Sequence, residues 1–298
     1  MSPPRRSTST WPSRPRPSGI WPSGLLRNSD LQVSVLAARL EAARMENRAA
    51  LISYLPVGYP TVEASIEAMV ATAGGGVDVV EIGVPYSDPG MDGPTIQQAV
   101  DVAVRAGVGM RDVLRAVEGV AESGAVPVVM SYWNPIERYG VDRFARDLAA
   151  AGGAGAITPD LIPDEASEWI AAADRADLDR VFLVAPSSTD VRLAMTASAC
   201  RGFVYAASTM GVTGARAEVS SVAPALVARV RAISGLPVAV GLGVSTGAQA
   251  AEVAGYADAV IVGSAFVRAL LDGRDPAAGA RAVQSLAAEL AVGVRQRS

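Results

Sequence analysis

From residue 49 onward the chain alternates between two kinds of pattern. Short runs rich in Val, Ile, Leu and Ala mark eight strands: Leu51–Leu55, Val77–Ile82, Val126–Met130, Gly155–Ile157, Val181–Val184, Gly202–Tyr205, Val238–Val240 and Ala259–Val262. Between them apolar residues recur at three- and four-residue intervals, the stripe of a helix with one buried face. Val141, Phe144, Ala145, Leu148 and Ala149 form such a stripe, with Asp142, Arg143, Arg146 and Asp147 facing away. Val222, Leu226, Val227, Val230 and Ile233 repeat it. The second strand is followed by two helical stretches, Thr95–Arg105 and Arg111–Glu122. A further helix, Val35–Asn47, precedes the first strand; Leu36 and Leu40, one turn apart, suit it to cap the bottom of the sheet.

Strand followed by helix, repeated, predicts a parallel sheet. Eight such units in about 250 residues is the measure of an α/β protein of the (β/α)8, or TIM, barrel class. Here it carries an N-terminal capping helix and an extra helix after strand 2. An open doubly wound sheet is the main alternative. It would carry a Gly-rich fingerprint after its first strand, whereas that turn reads Gly58-Tyr59-Pro60-Thr61.

Residues 1–30 stand apart. Six Pro, seven Ser and five Arg with a single acid, Asp30, cannot build a core, so a solvated, disordered tail or an upstream misread start is expected. The barrel is expected to occupy 31–298. Over that span 21 Arg stand against 29 acids, a net charge of −8 that argues against nucleic acid or an anionic membrane as partner. The longest uncharged run, Ala232 to Ala251, holds Pro237 and four glycines and reads as strand, turn and helix start rather than a membrane span. The one cysteine, Cys200, allows no internal disulfide and suits a reducing cytoplasm. It sits in the Ala-rich stretch Ala197-Ser198-Ala199-Cys200, the setting of a buried packing thiol.

Two absences narrow the chemistry. With no histidine, Ser-His-Asp and Cys-His nucleophile systems and histidine-bound metal are unavailable. All 26 basic residues are Arg, so Schiff-base aldolase chemistry, which needs a lysine amine, is excluded. Proton transfer falls to Asp, Glu, Tyr or the lone Cys. Glu81 ends an apolar strand, where burial raises a carboxyl pKa toward the range of a proton shuttle. Asp92 lies between Met91 and Gly93 in the loop that follows, and is expected to stay ionised and accept a hydrogen bond. Two carboxyls pushed apart in pKa suggest paired acid and base roles; a strand-end Glu paired with Arg and a turn-forming Asp is the plainer alternative.

Other polar and aromatic residues gather at strand ends: Tyr132-Trp133-Asn134-Pro135, Pro159-Asp160, Pro186-Ser187-Ser188 and Tyr205. The sixth loop, 206–220, is long enough to serve as a lid and holds Gly211-Val212-Thr213-Gly214. The last two strands end in Gly241-Leu242-Gly243 and Val262-Gly263-Ser264, beside a helix start. Loops after strands seven and eight are the common phosphate site of barrels. Tyr54, Met130, Tyr132 and Trp133 suggest a flat hydrophobic ring at the other end of the ligand, though each could equally be core. The residues thus point to a small phosphorylated substrate handled by carboxylates, with proton transfer at carbon and C–C cleavage or isomerisation.

The run Glu81-Ile82-Gly83-Val84-Pro85-Tyr86-Ser87-Asp88-Pro89, followed by Asp92-Gly93-Pro94-Thr95-Ile96-Gln97, closely resembles the signature of the tryptophan synthase alpha chain family. The likeness continues through Tyr132-Trp133-Asn134-Pro135, Pro159-Asp160-Leu161, Gly211-Val212-Thr213-Gly214, Gly241-Leu242-Gly243 and Gly263-Ser264, and covers about residues 35–295. The resemblance implies cleavage of indole-3-glycerol phosphate to indole and glyceraldehyde 3-phosphate without metal or organic cofactor. It implies Glu81 as the acid–base that protonates the ring carbon and handles the side-chain hydroxyl proton, and Asp92 as the partner of the indole N–H. Tyr205 would lie beside the substrate, and Thr213, Gly214, Gly243, Gly263 and Ser264 would stand at the phosphate. It further implies a beta chain that uses pyridoxal phosphate, takes indole through a tunnel and forms an alpha2-beta2 heterotetramer. Loops two (Tyr86 to Met91) and six would order against it. Many relatives carry Phe at Tyr86 and Leu-Ala at Gly90-Met91. A free-standing lyase and a non-enzymatic phosphate-binding barrel are the competing readings; a metal-dependent epimerase would need histidine.

Overall fold

The computed structural model describes residues 34–207, 222–241 and 243–296. The strands are β1 (Ala50–Pro56), β2 (Val79–Gly83), β3 (Val126–Met130), β4 (Gly155–Ile157), β5 (Asp179–Val181), β6 (Leu183–Val184), β7 (Val204–Ala207), β8 (Val238–Gly241) and β9 (Ala259–Val262). All pair in parallel, in the order β5-β4-β3-β2-β1-β9-β8-β7-β6. Since β5 and β6 are consecutive in the chain and flank the two ends of that order, the sheet curls into a nearly closed (β/α)8 barrel.

The fifth strand, expected as Val181–Val184, differs from its forecast. It starts at Asp179 and divides at Phe182, whose N–H points to Cys200 Sγ at 3.4 Å while its carbonyl accepts from Tyr205 N at 3.3 Å. The first half pairs with β4 and the second with β7, so one short run serves two neighbours. Likewise the sixth strand begins later than expected, at Val204, because Gly202 still turns the chain with φ +92°. The expectation for residues 1–30, and most of the sixth loop, lie outside the described residues.

The helix Val35–Met45 caps the bottom as anticipated. Leu36, Leu40 and Ala43 are buried with Ile52, Val79 and Ile261 of β1, β2 and β9 and with Phe203 just before β7. Its N-cap Ser34 accepts from Ala37 N and donates to the buried Asp179 at 2.5 Å, which ties the cap to β5. At the starts of β1 and β2, Arg48 and Asp78 form a buried two-pronged pair at 2.6 and 2.9 Å, and Asp78 also accepts from Leu51 N. The extra helices after β2 are present as Pro94–Arg105 and Met110–Glu122. The stripe helices appear at Val141–Ala150 and Ala223–Arg231. Among the described residues no helix is long and apolar enough to cross a membrane.

Candidate active site

Successive residues of a strand point to opposite faces, so Ile52 and Val79 inside the barrel place Tyr54 and Glu81 inside it too. The two are register partners on adjacent strands, and Val128 completes the level on β3. Glu81 is 1% exposed, and neither of its carboxyl oxygens has a hydrogen-bond partner among the described residues. Burial alone therefore pushes its carboxyl up to about 8. The alternative of a strand-end Glu paired with Arg is not what is seen.

Above this level opens a cleft of about 660 Å3, counted out to its mouth, lined by Tyr54, Val84, Met91, Asp92, Met130, Ser131, Tyr132, Pro159, Leu183, Tyr205, Ala207 and Gly241. Glu81 lies behind the lining, next to it: its charge reaches both Tyr54 and Tyr205, whose hydroxyls burial already holds well above the usual phenol range. Asp92 acts on the same Tyr54 hydroxyl. Glu81 is the register partner of Tyr54 and Asp92 lines the same cleft as Tyr54, so both carboxyls neighbour this side chain at one mouth of the barrel.

Asp92 departs from its forecast in degree. Partial burial raises its carboxyl to about 6, so it remains mostly ionised at neutral pH, but its separation from Glu81 is narrower than a fully solvated Asp would give. Its loop is held by hydrogen bonds more than by packing. Tyr132 Oη accepts from Met91 N at 2.9 Å, and Gln97 Nε2 donates to the Asp92 carbonyl at 2.7 Å. The Tyr86 ring lies 5.4 Å, centroid to centroid, from that of Tyr132.

Tyr54, Met130, Tyr132 and Tyr205 all line the cleft as the sequence suggested. Gly263 comes near it, since a Cβ there would stand 3.5 Å from Tyr54 Cδ1. Gly243 turns at φ +69°, a conformation side chains rarely adopt. Ser264 begins the helix Ser264–Leu271 but lines a neighbouring groove, with Thr95, Ser245 and Arg268. Thr213 and Gly214 lie outside the described residues. Gly241 lines the cleft and has a packing role as well: a Cβ there would meet Tyr205 Oη at 2.6 Å, so its bareness makes room for that ring. Gly83 does the same for Tyr54, also at 2.6 Å.

Some polar residues at the mouth turn out to be structural. Asp160 accepts Trp133 N at 2.9 and 3.1 Å and so caps the helix Trp133–Tyr139, which occupies a segment read only as polar residues after a strand. Ser188 accepts from Ala185 N within its own turn. Val84, Ser131, Leu183 and Ala207 line the cleft without having been singled out. Leu183 was legible through strand alternation, two residues past the inward Val181; the others carry no chemical signal. Cys200 is buried, with its thiol pushed up to about 11. Among the described residues no group of three or more Cys, Asp or Glu is placed to hold a metal ion.

Comparison with known proteins agrees with this geometry. Residues 40–295 match the family model described as tryptophan synthase alpha chain. The chain is 63% identical over 267 residues to the tryptophan synthase alpha chain of Mycobacterium avium, covering 90% of this chain and 97% of that one. A solved structure of Mycobacterium tuberculosis tryptophan synthase superposes with a TM-score of 0.84 at 60% identity, over 89% of this chain and 99% of the other. The tryptophan synthase alpha chain of Legionella pneumophila, at 29% identity, still superposes with a TM-score of 0.77 over 88% and 98%. A buried, unpartnered carboxyl and a second, half-buried one at a barrel mouth therefore belong to a lyase, and this chain is a member of the tryptophan synthase alpha chain family, which cleaves indole-3-glycerol phosphate in tryptophan biosynthesis.

Proposed function

We propose that Glu81 and Asp92 carry out the cleavage between them. Glu81, protonated at neutral pH, delivers its proton to the ring carbon that bears the glycerol phosphate chain. Positive charge then develops at the ring nitrogen, and ionised Asp92 accepts the N–H hydrogen bond and stabilises it. The Glu81 carboxylate next removes the proton from the chain hydroxyl adjacent to the scissile bond. As that oxygen becomes a carbonyl the C–C bond breaks, and its electron pair returns to the ring. Indole and glyceraldehyde 3-phosphate leave, and Glu81 is protonated again. One proton has moved from oxygen to carbon, so no external acid or base is consumed.

The observation that carries this reading is the buried Glu81 carboxyl with both oxygens unpartnered, which burial keeps protonated until a substrate meets it. Tyr54, Met130, Tyr132 and Tyr205 offer flat apolar surface to the ring. The phosphate is assigned to Gly243, Gly263 and Ser264 with Thr213 and Gly214, where bare backbone and the start of the helix Ser264–Leu271 favour an anion. The chain's own share of the chemistry needs no metal or organic cofactor.

We assign it a beta-chain partner holding pyridoxal phosphate, in an alpha2-beta2 assembly. The solved relatives from Mycobacterium tuberculosis are described as tryptophan synthase rather than as one subunit, which supports that assignment. A reducing cytoplasm suits the unpaired Cys200. Glu81→Gln tests the chemistry: the fold should persist while indole release falls about a hundredfold or more. Turnover at full speed would overturn the assignment. Running the assay with and without an added beta chain separates a partnered subunit from a free-standing lyase.

A further inference from the structure

We infer that Arg268 is a positioning residue for Asp92, acting through Thr95, and that it joins the helix after β9 to the helix start next to Asp92; this rests on the role proposed for Asp92. Asp92 sits at the end of a loop that packing does little to define. Ser87, Asp88 and Gly90 are exposed, and a Cβ built on Gly90 would meet nothing within 4 Å. The helix that follows, Pro94–Arg105, has Gly93 as its N-cap and so lacks a side-chain cap of its own. The direction in which Asp92 points is therefore set by whatever holds the first turn of that helix.

Among the described residues, ties reach this segment from the end of β3, from the helix's own first turns and from the helix after β9. Tyr132, just past β3, accepts from Met91 N at 2.9 Å. Gln97, within the helix, donates to the Asp92 carbonyl at 2.7 Å. Arg268 Nη2 donates to Thr95 Oγ1 at 2.8 Å across 173 positions of sequence. Thr95 is three residues from Asp92 and lies in the first turn. Arg268 lies one turn past Ser264, which puts both on one face of the helix Ser264–Leu271. Both line the groove that also includes Thr95 and Ser245. The helix bearing the proposed phosphate residue thus reaches, through one guanidinium, the segment bearing the carboxylate that meets the ring. Loss of the tie leaves both ends of the site chemically intact but frees their relative placement, and a small misplacement of a reacting group lowers turnover rather than affinity.

The test uses the full chain and indole release from indole-3-glycerol phosphate, with Arg268→Ala, Thr95→Val, the double variant and Arg268→Lys. Each single variant should lower kcat by about two- to tenfold, the net range of one ordinary hydrogen bond, because this one is solvent-exposed. The double variant should fall no further than the worse single one, and Arg268→Lys should recover part of the loss. Inhibition by glycerol 3-phosphate, the phosphate half of the substrate without the ring, should change by less than about twofold. Additive losses, an unchanged kcat, or a weakened grip on glycerol 3-phosphate with kcat intact would each overturn the inference. In an Asp92→Asn background, Arg268→Ala should cost nothing more. A further loss there overturns the role of Arg268 alone. Full activity of Asp92→Asn by itself removes the Asp92 reading and this one with it.

Discussion

The burial of Glu81 makes a prediction about stability that does not depend on catalysis. The carboxyl is 1% exposed and unpartnered, and its pKa rises from 4.5 to about 8. Between those two values the folded chain keeps a proton that the unfolded chain releases. Stability therefore falls as pH rises from about 4.5 to about 8, and the penalty is absent below that window. At about 1.4 kcal/mol per pH unit, the cost is about 3 kcal/mol at pH 7 and about 5 kcal/mol once pH passes 8. Glu81→Gln keeps the shape and cannot ionise, so it removes the slope. Urea unfolding of both proteins at pH 5, 6, 7 and 8 reads the difference directly, because other titrating groups are common to the two. The variant should gain on the parent steadily across that range. A stability difference that stays flat from pH 5 to pH 8 would show that Glu81 is solvated or paired, and would remove the physical basis for its acid role.

The same pKa values shape the rate. Asp92 must be ionised and Glu81 protonated, so kcat/KM should rise through about pH 6 and fall through about pH 8, and Asp92→Asn should abolish the acidic limb. Tyr132→Phe deletes the acceptor of Met91 N and should lower kcat/KM about two- to tenfold while thermal unfolding barely moves. Asp78→Ala leaves the buried Arg48 guanidinium with only Glu46 and the Ala49 carbonyl, and leaves Leu51 N–H without its acceptor, so it should cost about 3 kcal/mol in urea unfolding with the cleft chemistry untouched. A loss under 1 kcal/mol would mean that Arg48 finds water.

Much of the architecture was legible one segment at a time. The capping helix, seven of the eight strand positions and the two helices after β2 follow from apolar spacing, which depends only on neighbours along the chain. The fifth strand was legible as a run but not as a break, because the break depends on Cys200, 18 residues away. Asp160 looked like part of the chemistry and proves to be a helix cap, since the N–H it meets lies 27 residues back. Gly241 read as a glycine that opens backbone to a ligand, whereas the space that it and Gly83 leave is filled by Tyr205 and Tyr54.

Sequence by itself narrowed the chemistry to proton transfer at carbon by carboxylates, with cleavage and isomerisation both open until the family resemblance was added. The absence of histidine and lysine, the Glu81 and Asp92 motif and the glycine turns are statements about residue types and spacing, and they stand before the chain folds. Tertiary structure alone decided how acidic each carboxyl is and which groups surround it. Desolvation comes from side chains on β1, β3 and β7 that meet only when the sheet curls, so Glu81 without a partner, Asp92 half-enclosed and Arg268 reaching Thr95 exist in no local stretch of sequence.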